Sequence, residues 1–248
     1  MQSITRVQRP VQDARRAYNR LSRWYDALAN ASEGPLRDRG LQALAAQPGE
    51  RVLEIGFGTG HALVSLAQAA APLDCAAAPL GCTATPSGYV VGVDISDGMA
   101  AVAARRLAKV DCAGRVALAL ADGARPPFAA GSFDAVFMSF TLELFDTPLL
   151  PLVLASCREI LKPAGRLCVV ALAKDQRGDA LPARLYEVAH RMLPRWVDCR
   201  PIFVGALLRE YGFCIVTSTR HAMWGLPVDV VLAQKSEGGL ADGAEFIP

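Results

Sequence analysis

The stretch VLEIGFGTGHAL, residues 52–63, decides how this chain is read. A strand-like apolar run carries one carboxylate, Glu54, and meets three glycines at alternate positions, Gly56, Gly58 and Gly60. A helical apolar pattern then starts at His61. A strand, a glycine turn and a helix in that order let backbone approach a nucleotide-like ligand closely, with the helix N-terminus behind it.

Working outward, strands and helices alternate. Strands are expected at 51–55, 89–93, 116–120, 133–138 and 166–173, and a last pair at 214–219 and 228–233. Helices are expected at 11–28, 33–46, 61–71, 97–110, 149–160, 182–192 and 202–211. Most strands are apolar on both faces, which predicts a parallel sheet covered on both sides. Only residues 220–227 separate the last two strands, too few for a crossover helix. A hairpin at the sheet edge, with one antiparallel strand, fits better. Residues 71–88 hold three prolines and almost no charge, and read as an inserted loop. The expected organisation is an N-terminal helical cap at 1–47, one ligand-binding domain at 48–235, and a frayed tail at 236–248.

Composition narrows the function. The 248 residues are 52% hydrophobic and carry 26 Lys plus Arg against 24 Asp plus Glu. That balance supplies no strong basic field, so a nucleic-acid partner is not expected. Seven cysteines, an odd number with no CxxC pair, suit a reducing cytosol better than a disulfide framework. No apolar run reaches the ~18 residues of a spanning helix. Arginines at 6, 9, 15, 16, 20 and 23 read as a solvated helix face, or as contact with an anionic substrate or membrane surface.

In open α/β sheets, ligands bind beyond the carboxyl ends of the strands. Four polar features fall at such ends: Glu54, Asp94, Asp122 and the run Ser139-Phe140-Thr141. A dinucleotide turn is spaced GxGxxG, whereas here the third glycine comes one position early. Glu54 is poor company for a pyrophosphate and good company for an ammonium. Asp94 has acceptors for two ribose hydroxyls, and Asp122 can accept from an adenine amino group. An amino-acid end, a ribose and an adenine together describe S-adenosylmethionine.

The chain resembles the class I S-adenosylmethionine-dependent methyltransferases, in particular the ubiquinone/menaquinone C-methyltransferase-like group. VLEIGFGTG resembles the cofactor turn, VVGVDISDGMAAVAARR the ribose-binding strand and its helix, ALADGARPPFAAGSFDAVF the adenine-side loop, and REILKPAGRLCVV the turn into strand five. AYNRLSRWYDAL resembles the segment that often precedes the core in that group. The resemblance implies an α/β, Rossmann-like fold with a mixed seven-stranded sheet and the last strand antiparallel. It implies a cofactor site of Glu54, Gly56, Phe57, Gly58, Gly60, Asp94, Ile95, Met99, Asp122, Gly123, Ala124 and Ser139. Glu54 and Asp94 lie 40 positions apart, about twice the family's customary spacing, and the insertion accounts for the excess.

Segments that should cap the crevice supply the expected substrate contacts: Tyr18, Trp24, Tyr25, Phe140, Glu143, Arg195 and Trp224. His190, His221 and Tyr25 are candidates for proton transfer, but no base-and-orienter pair defines a catalytic residue. No histidine-rich metal cluster is visible. FTLELF, residues 140–145, lacks the Asn/Asp-Pro-Pro-Tyr pattern of enzymes that methylate base or glutamine nitrogens. The aromatic caps point to a small lipophilic acceptor: quinone-like, phenolic, or a phospholipid amine. A polar metabolite, a nicotinamide dehydrogenase and a non-catalytic partner protein of the same fold remain alternatives. Oligomerisation and peripheral membrane contact stay open.

Overall fold

A computed structural model describes residues 30–71, 88–110, 112, 114–174 and 200–236. The elements are α1 (Asn30–Leu44), β1 (Arg51–Ile55), α2 (His61–Ala69), β2 (Tyr89–Asp94), α3 (Asp97–Leu107), β3 (Val116–Leu120) and β4 (Phe133–Ser139). Two 3-10 turns, Leu142–Leu144 and Thr147–Leu149, lead into α4 (Leu150–Ile160), β5 (Leu161–Leu172), α5 (Val204–Glu210), β6 (Phe213–Met223) and β7 (Leu226–Lys235).

The strands form one seven-stranded sheet in the order β3-β2-β1-β4-β5-β7-β6. β1 to β5 are parallel, and β7 runs antiparallel to both β5 and β6. The expected mixed sheet is present, with its antiparallel strand threaded between two others and β6 outermost. Strand order reverses between β1 and β4, which sets the ligand crevice beyond their carboxyl ends.

Alternation along β1 divides the core. Leu53 and Ile55 join Val153, Leu154 and Ile160 of α4 on one face. Val52 joins Phe57, Leu63 and Leu66 on the other. Both faces are therefore dry, as a parallel sheet requires.

α1 lies over β4 and β5. At Gly40 an added Cβ would collide with Val170 and meet Phe137 at 3.0 Å, so glycine lets the helix approach closely. Arg166 of β5 closes the far end of α1: its Nε donates to the Leu44 carbonyl at 2.7 Å and its Nη2 to the Ala45 carbonyl at 3.0 Å. The same guanidinium grips both Glu50 oxygens at 2.7 Å. The C-terminus of α1 is thus tied to the amino ends of the strands, and its first turns point to the carboxyl ends. The helix starts three residues earlier than expected, at Asn30, and stops at Leu44 before Ala45 takes a left-handed φ of 48°.

Other boundaries differ too. The expected loop 220–227 is mostly strand: β6 and β7 continue to a two-residue turn, Trp224-Gly225, with φ of 51° and 79°. Positive φ at both positions matches the twist of a tight hairpin. β5 starts at Leu161, not 166, with an irregularity in its pairing between Phe133 and Ala135. The expected helices at 11–28 and 182–192 lie outside the described residues, as do 72–87 and the tail from 237. The flanks of the insertion are described. The Ala70 carbonyl accepts from the Gly49 N–H at 2.9 Å, and the Tyr89 N–H donates to the Glu50 carbonyl at 3.0 Å. Both flanks therefore sit at the amino end of the sheet, opposite the crevice.

Candidate active site

The glycine turn is held by contacts that explain each glycine separately. All three have positive φ: 74° at Gly56, 51° at Gly58 and 81° at Gly60. A Cβ on Gly56 would collide with the Thr141 hydroxyl, and one on Gly60 would sit 2.8 Å from the Ala103 Cβ. Gly58 has nothing within 4 Å and faces open space. The first and third glycines serve packing, and the middle one leaves open space beside the turn.

Asp94 joins this turn to the end of β2. Its Oδ2 accepts from the Gly58 N–H and its Oδ1 from the Ser96 N–H, each at 2.9 Å. Burial raises the Asp94 pKa, and the N–H groups of Ser96, Gly58 and Ile95 pull it back. Three backbone N–H groups on two oxygens still leave the carboxylate acceptor capacity.

Glu54 projects from β1 on the α1 side. It is buried, and its Oε2 has no hydrogen-bond partner among the described residues. Burial pushes its pKa well above the usual carboxylate range, Arg37 of α1 opposes this, and Asp94 adds to it. A buried carboxyl with an unused oxygen is suited to a positively charged visitor, which would restore its ionised form.

On the other side of β2, Asp122 is exposed and its Oδ1 accepts from the Ala124 N–H at 2.9 Å. Gly123 is wedged against Ile55 and Phe145, where a Cβ would lie 2.6 Å from the Ile55 Cγ2. Ile95 is half-buried beside Asp94, and Met99 is buried under the Ser96 cap of α3. Glu54, Gly56, Gly58, Gly60, Asp94, Ile95, Asp122, Gly123, Ala124 and Ser139 thus gather along the carboxyl ends of β1 to β4. Phe57 belongs to the turn by its backbone, but its ring turns into the core against Gly92 and Leu63.

The segment after β4 is built around an unusual residue. Phe140 has a φ of 51°, costly for a bulky side chain, and its ring is buried in the core with Phe137 and Leu172. Its side chain is packing, where a substrate contact was expected. The kink it makes carries the next residues over the strand ends. Thr141 donates to the Ser139 carbonyl at 3.0 Å and reaches the Gly56 carbonyl at 3.5 Å.

Glu143 is fully buried. Its Oε1 accepts from the Leu172 N–H at 3.1 Å, and its Oε2 has no partner among the described residues. Burial pushes its pKa up to about 8, against its own N–H and that of Leu172, with Glu33 raising it and Arg200 lowering it. Arg200 is 1% exposed. It donates to the Thr147 hydroxyl at 2.7 Å and to the Phe145 carbonyl, clasping the loop after β4. Burial lowers its pKa to about 10, with Asp146 and Glu143 opposing.

Other expected contacts are elsewhere. Trp224 is 75% exposed at the hairpin tip, at the carboxyl end of the sheet but three strands beyond β1. His221 lies on β6 and shares a 3.0 Å hydrogen bond with Thr219, away from the glycine turn. Tyr18, Trp24, Tyr25, His190 and Arg195 lie outside the described residues. The sequence reading missed Arg37, half-buried on α1 and acting on Glu54, and Arg200, whose burial depends on partners distant in the chain. Thr141 had a local signal, since it directly follows Ser139-Phe140. Among the described residues, no group of three or more His, Cys, Asp or Glu could hold a metal, and no helix is long and apolar enough to cross a membrane.

Comparison with known proteins converges on this geometry. Residues 52–165 match a family described as a methyltransferase domain. Nocamycin O-methyltransferase from Saccharothrix syringae is 35% identical over 199 residues, 79% of this chain and 65% of that protein. Demethylmenaquinone methyltransferase from Symbiobacterium thermophilum is 28% identical over 66% of this chain and 60% of that protein. The chain spans less than two thirds of the length of these two relatives. In fold it is similar to Burkholderia thailandensis 1,6-didemethyltoxoflavin-N1-methyltransferase, solved with S-adenosylhomocysteine. That likeness has a TM-score of 0.63 at 18% identity and covers 94% of this chain and 95% of the other. Together these likenesses mark residues 52–165 as a methyltransferase domain and support a class I S-adenosylmethionine-dependent methyltransferase.

Proposed function

We propose that this chain transfers a methyl group from S-adenosylmethionine to a small lipophilic acceptor, quinone-like, phenolic or a phospholipid amine. The observation that carries the cofactor half is Glu54: a buried carboxyl with an unused oxygen, beside the open backbone of Gly58 and in line with Asp94 and Asp122. Glu54 would receive the ammonium of the methionine end. Gly58 leaves room for that end to lie against the turn. Asp94 would accept from the ribose hydroxyls, already held in place by the Gly58 and Ser96 N–H groups. Asp122 would accept from the adenine amino group, with Gly123 and Ala124 beneath.

When bound, the cofactor supplies an electrophilic methyl on a sulfonium. The chain's own work is alignment of the acceptor and exclusion of water. The kink at Phe140 carries Thr141 to Glu143 over the strand ends, where an acceptor would approach. The names of the relatives, a nocamycin O-methyltransferase and a demethylmenaquinone methyltransferase, favour a hydroxyl-bearing or quinone-like acceptor. Calorimetry should give saturable, one-site S-adenosylmethionine binding. A screen with methyl-labelled cofactor against naphthols, phenols and phosphatidylethanolamine should label one class. No heat with S-adenosylmethionine would reject the cofactor reading, and turnover of polar metabolites alone would reject the lipophilic acceptor.

A further inference from the structure

Glu143 is a buried acid that the cofactor does not need. It lies in the turn after β4, two residues beyond Thr141, which touches the glycine turn at Gly56. Its Oε1 is held by the Leu172 N–H at the end of β5, which fixes the carboxyl plane. Its Oε2 is buried and unused among the described residues. A purely structural acid at this point needs only one acceptor for the Leu172 N–H. The second oxygen is buried in the turn that crosses the strand ends, with no partner among the described residues.

We propose that Glu143 is the proton-accepting catalytic residue and that the acceptor's attacking atom is a hydroxyl oxygen, phenolic or enolic. This rests on the methyl-transfer reading above. The acceptor O–H gives its proton to Glu143 Oε2. The oxygen lone pair forms the new C–O bond to the methyl, and the C–S bond breaks with its electron pair returning to sulfur. A thiolate or a free amine needs no such base, whereas a neutral hydroxyl does.

The charges around Glu143 suit this role. Glu33 of α1 pushes its proton affinity up, and Arg200, which precedes α5, pulls it down together with the Leu172 N–H and its own N–H. Asp146 acts on Arg200 from the neighbouring loop. The balance leaves the group at about 8, close to working pH, where a general base is most effective.

The test compares wild type with Glu143→Gln, which keeps an acceptor for Leu172 and removes the base. The probes are 2-naphthol and 4-methoxyphenol, with thiophenol and benzylamine as counter-probes, using methyl-labelled S-adenosylmethionine. Cofactor affinity and melting temperature are measured alongside. For a hydroxyl probe, wild-type kcat/KM should rise with a midpoint at about pH 8. In Glu143→Gln that limb should vanish and the rate fall about 100-fold or more, with cofactor affinity within about twofold. A limb from the probe's own ionisation would remain in both proteins. Cofactor binding with methylation of thiophenol or benzylamine only, or of no probe, overturns this inference and leaves the cofactor reading standing. So does a hydroxyl-probe rate unchanged by Glu143→Gln. Absence of cofactor binding in wild type overturns both. Glu143→Asp restoring part of the pH limb would support a base, since a structural role would not return it.

Discussion

Replacing Glu143 by glutamine should change how stability depends on pH, independently of any acceptor. In the unfolded chain this carboxyl titrates near its ordinary value of 4.5; in the folded chain burial holds the proton to about pH 8. Between those values the unfolded state binds fewer protons than the native one, so native stability falls as pH rises. The contribution is fully present below 4.5 and is lost once pH passes about 8. A carboxyl moved that far corresponds to about 5 kcal/mol. A glutamine side chain at this position cannot ionise, so the variant escapes the loss. Urea or thermal unfolding of both proteins at pH 5, 7 and 9 is the assay. At pH 5 the two should agree within about 1 kcal/mol. At pH 9 the glutamine protein should lead by several kcal/mol, a melting-temperature gap on the order of 10 °C for a domain of this size. Other groups titrate in both proteins and cancel in the difference. A gap that stays constant from pH 5 to 9, or that widens on acidification, would refute the reasoning.

Four further outcomes follow from the site and its frame. Asp94→Ala removes the acceptor for Gly58 and Ser96 along with the ribose partner, so S-adenosylmethionine affinity should drop at least about 10-fold in calorimetry. Gly58→Ala should keep most of its stability, losing about 1 kcal/mol to a left-handed backbone, yet lose cofactor affinity because its methyl enters open space. Gly60→Ala should instead lower the melting temperature first, since its Cβ meets Ala103. Arg166→Ala breaks a buttress of two carbonyls and one carboxylate, and should cost about 2–4 kcal/mol in urea unfolding with cofactor affinity retained by whatever fraction stays folded.

The local features of the site were legible in the sequence because they are short-range. The run from Val52 to Gly60, the acid ending β2 and the Asp122-Gly123-Ala124 corner each announce themselves within a few residues. The β6–β7 hairpin was legible, but its length and two-residue turn were not. Its outer strand, with Val216, Thr217, Ser218, Thr219 and Arg220 all exposed, has no buried alternation to mark it. Its turn also puts a tryptophan where glycine or asparagine is usual. Phe57 and Phe140 read as ligand walls because an aromatic side chain does not reveal whether it faces a core or a crevice. The burial of Glu143 and Arg200 comes from Leu172, Phe145 and Thr147, brought together only by the finished sheet.

The threading of β7 between β5 and β6 has a consequence for the order in which the chain can mature. β5 pairs with β4 on one side, and both are complete once residue 172 has been made. Its other edge has to wait for residues 228–234, which supply its antiparallel partner. During synthesis the half-sheet β3-β2-β1-β4-β5, which carries the whole glycine-turn and carboxylate set, can assemble while one long apolar edge stays unpaired. Such an edge invites pairing with another chain. The hairpin that closes it contributes little to the cofactor site, but it is the element that makes the half-sheet safe to release from the ribosome.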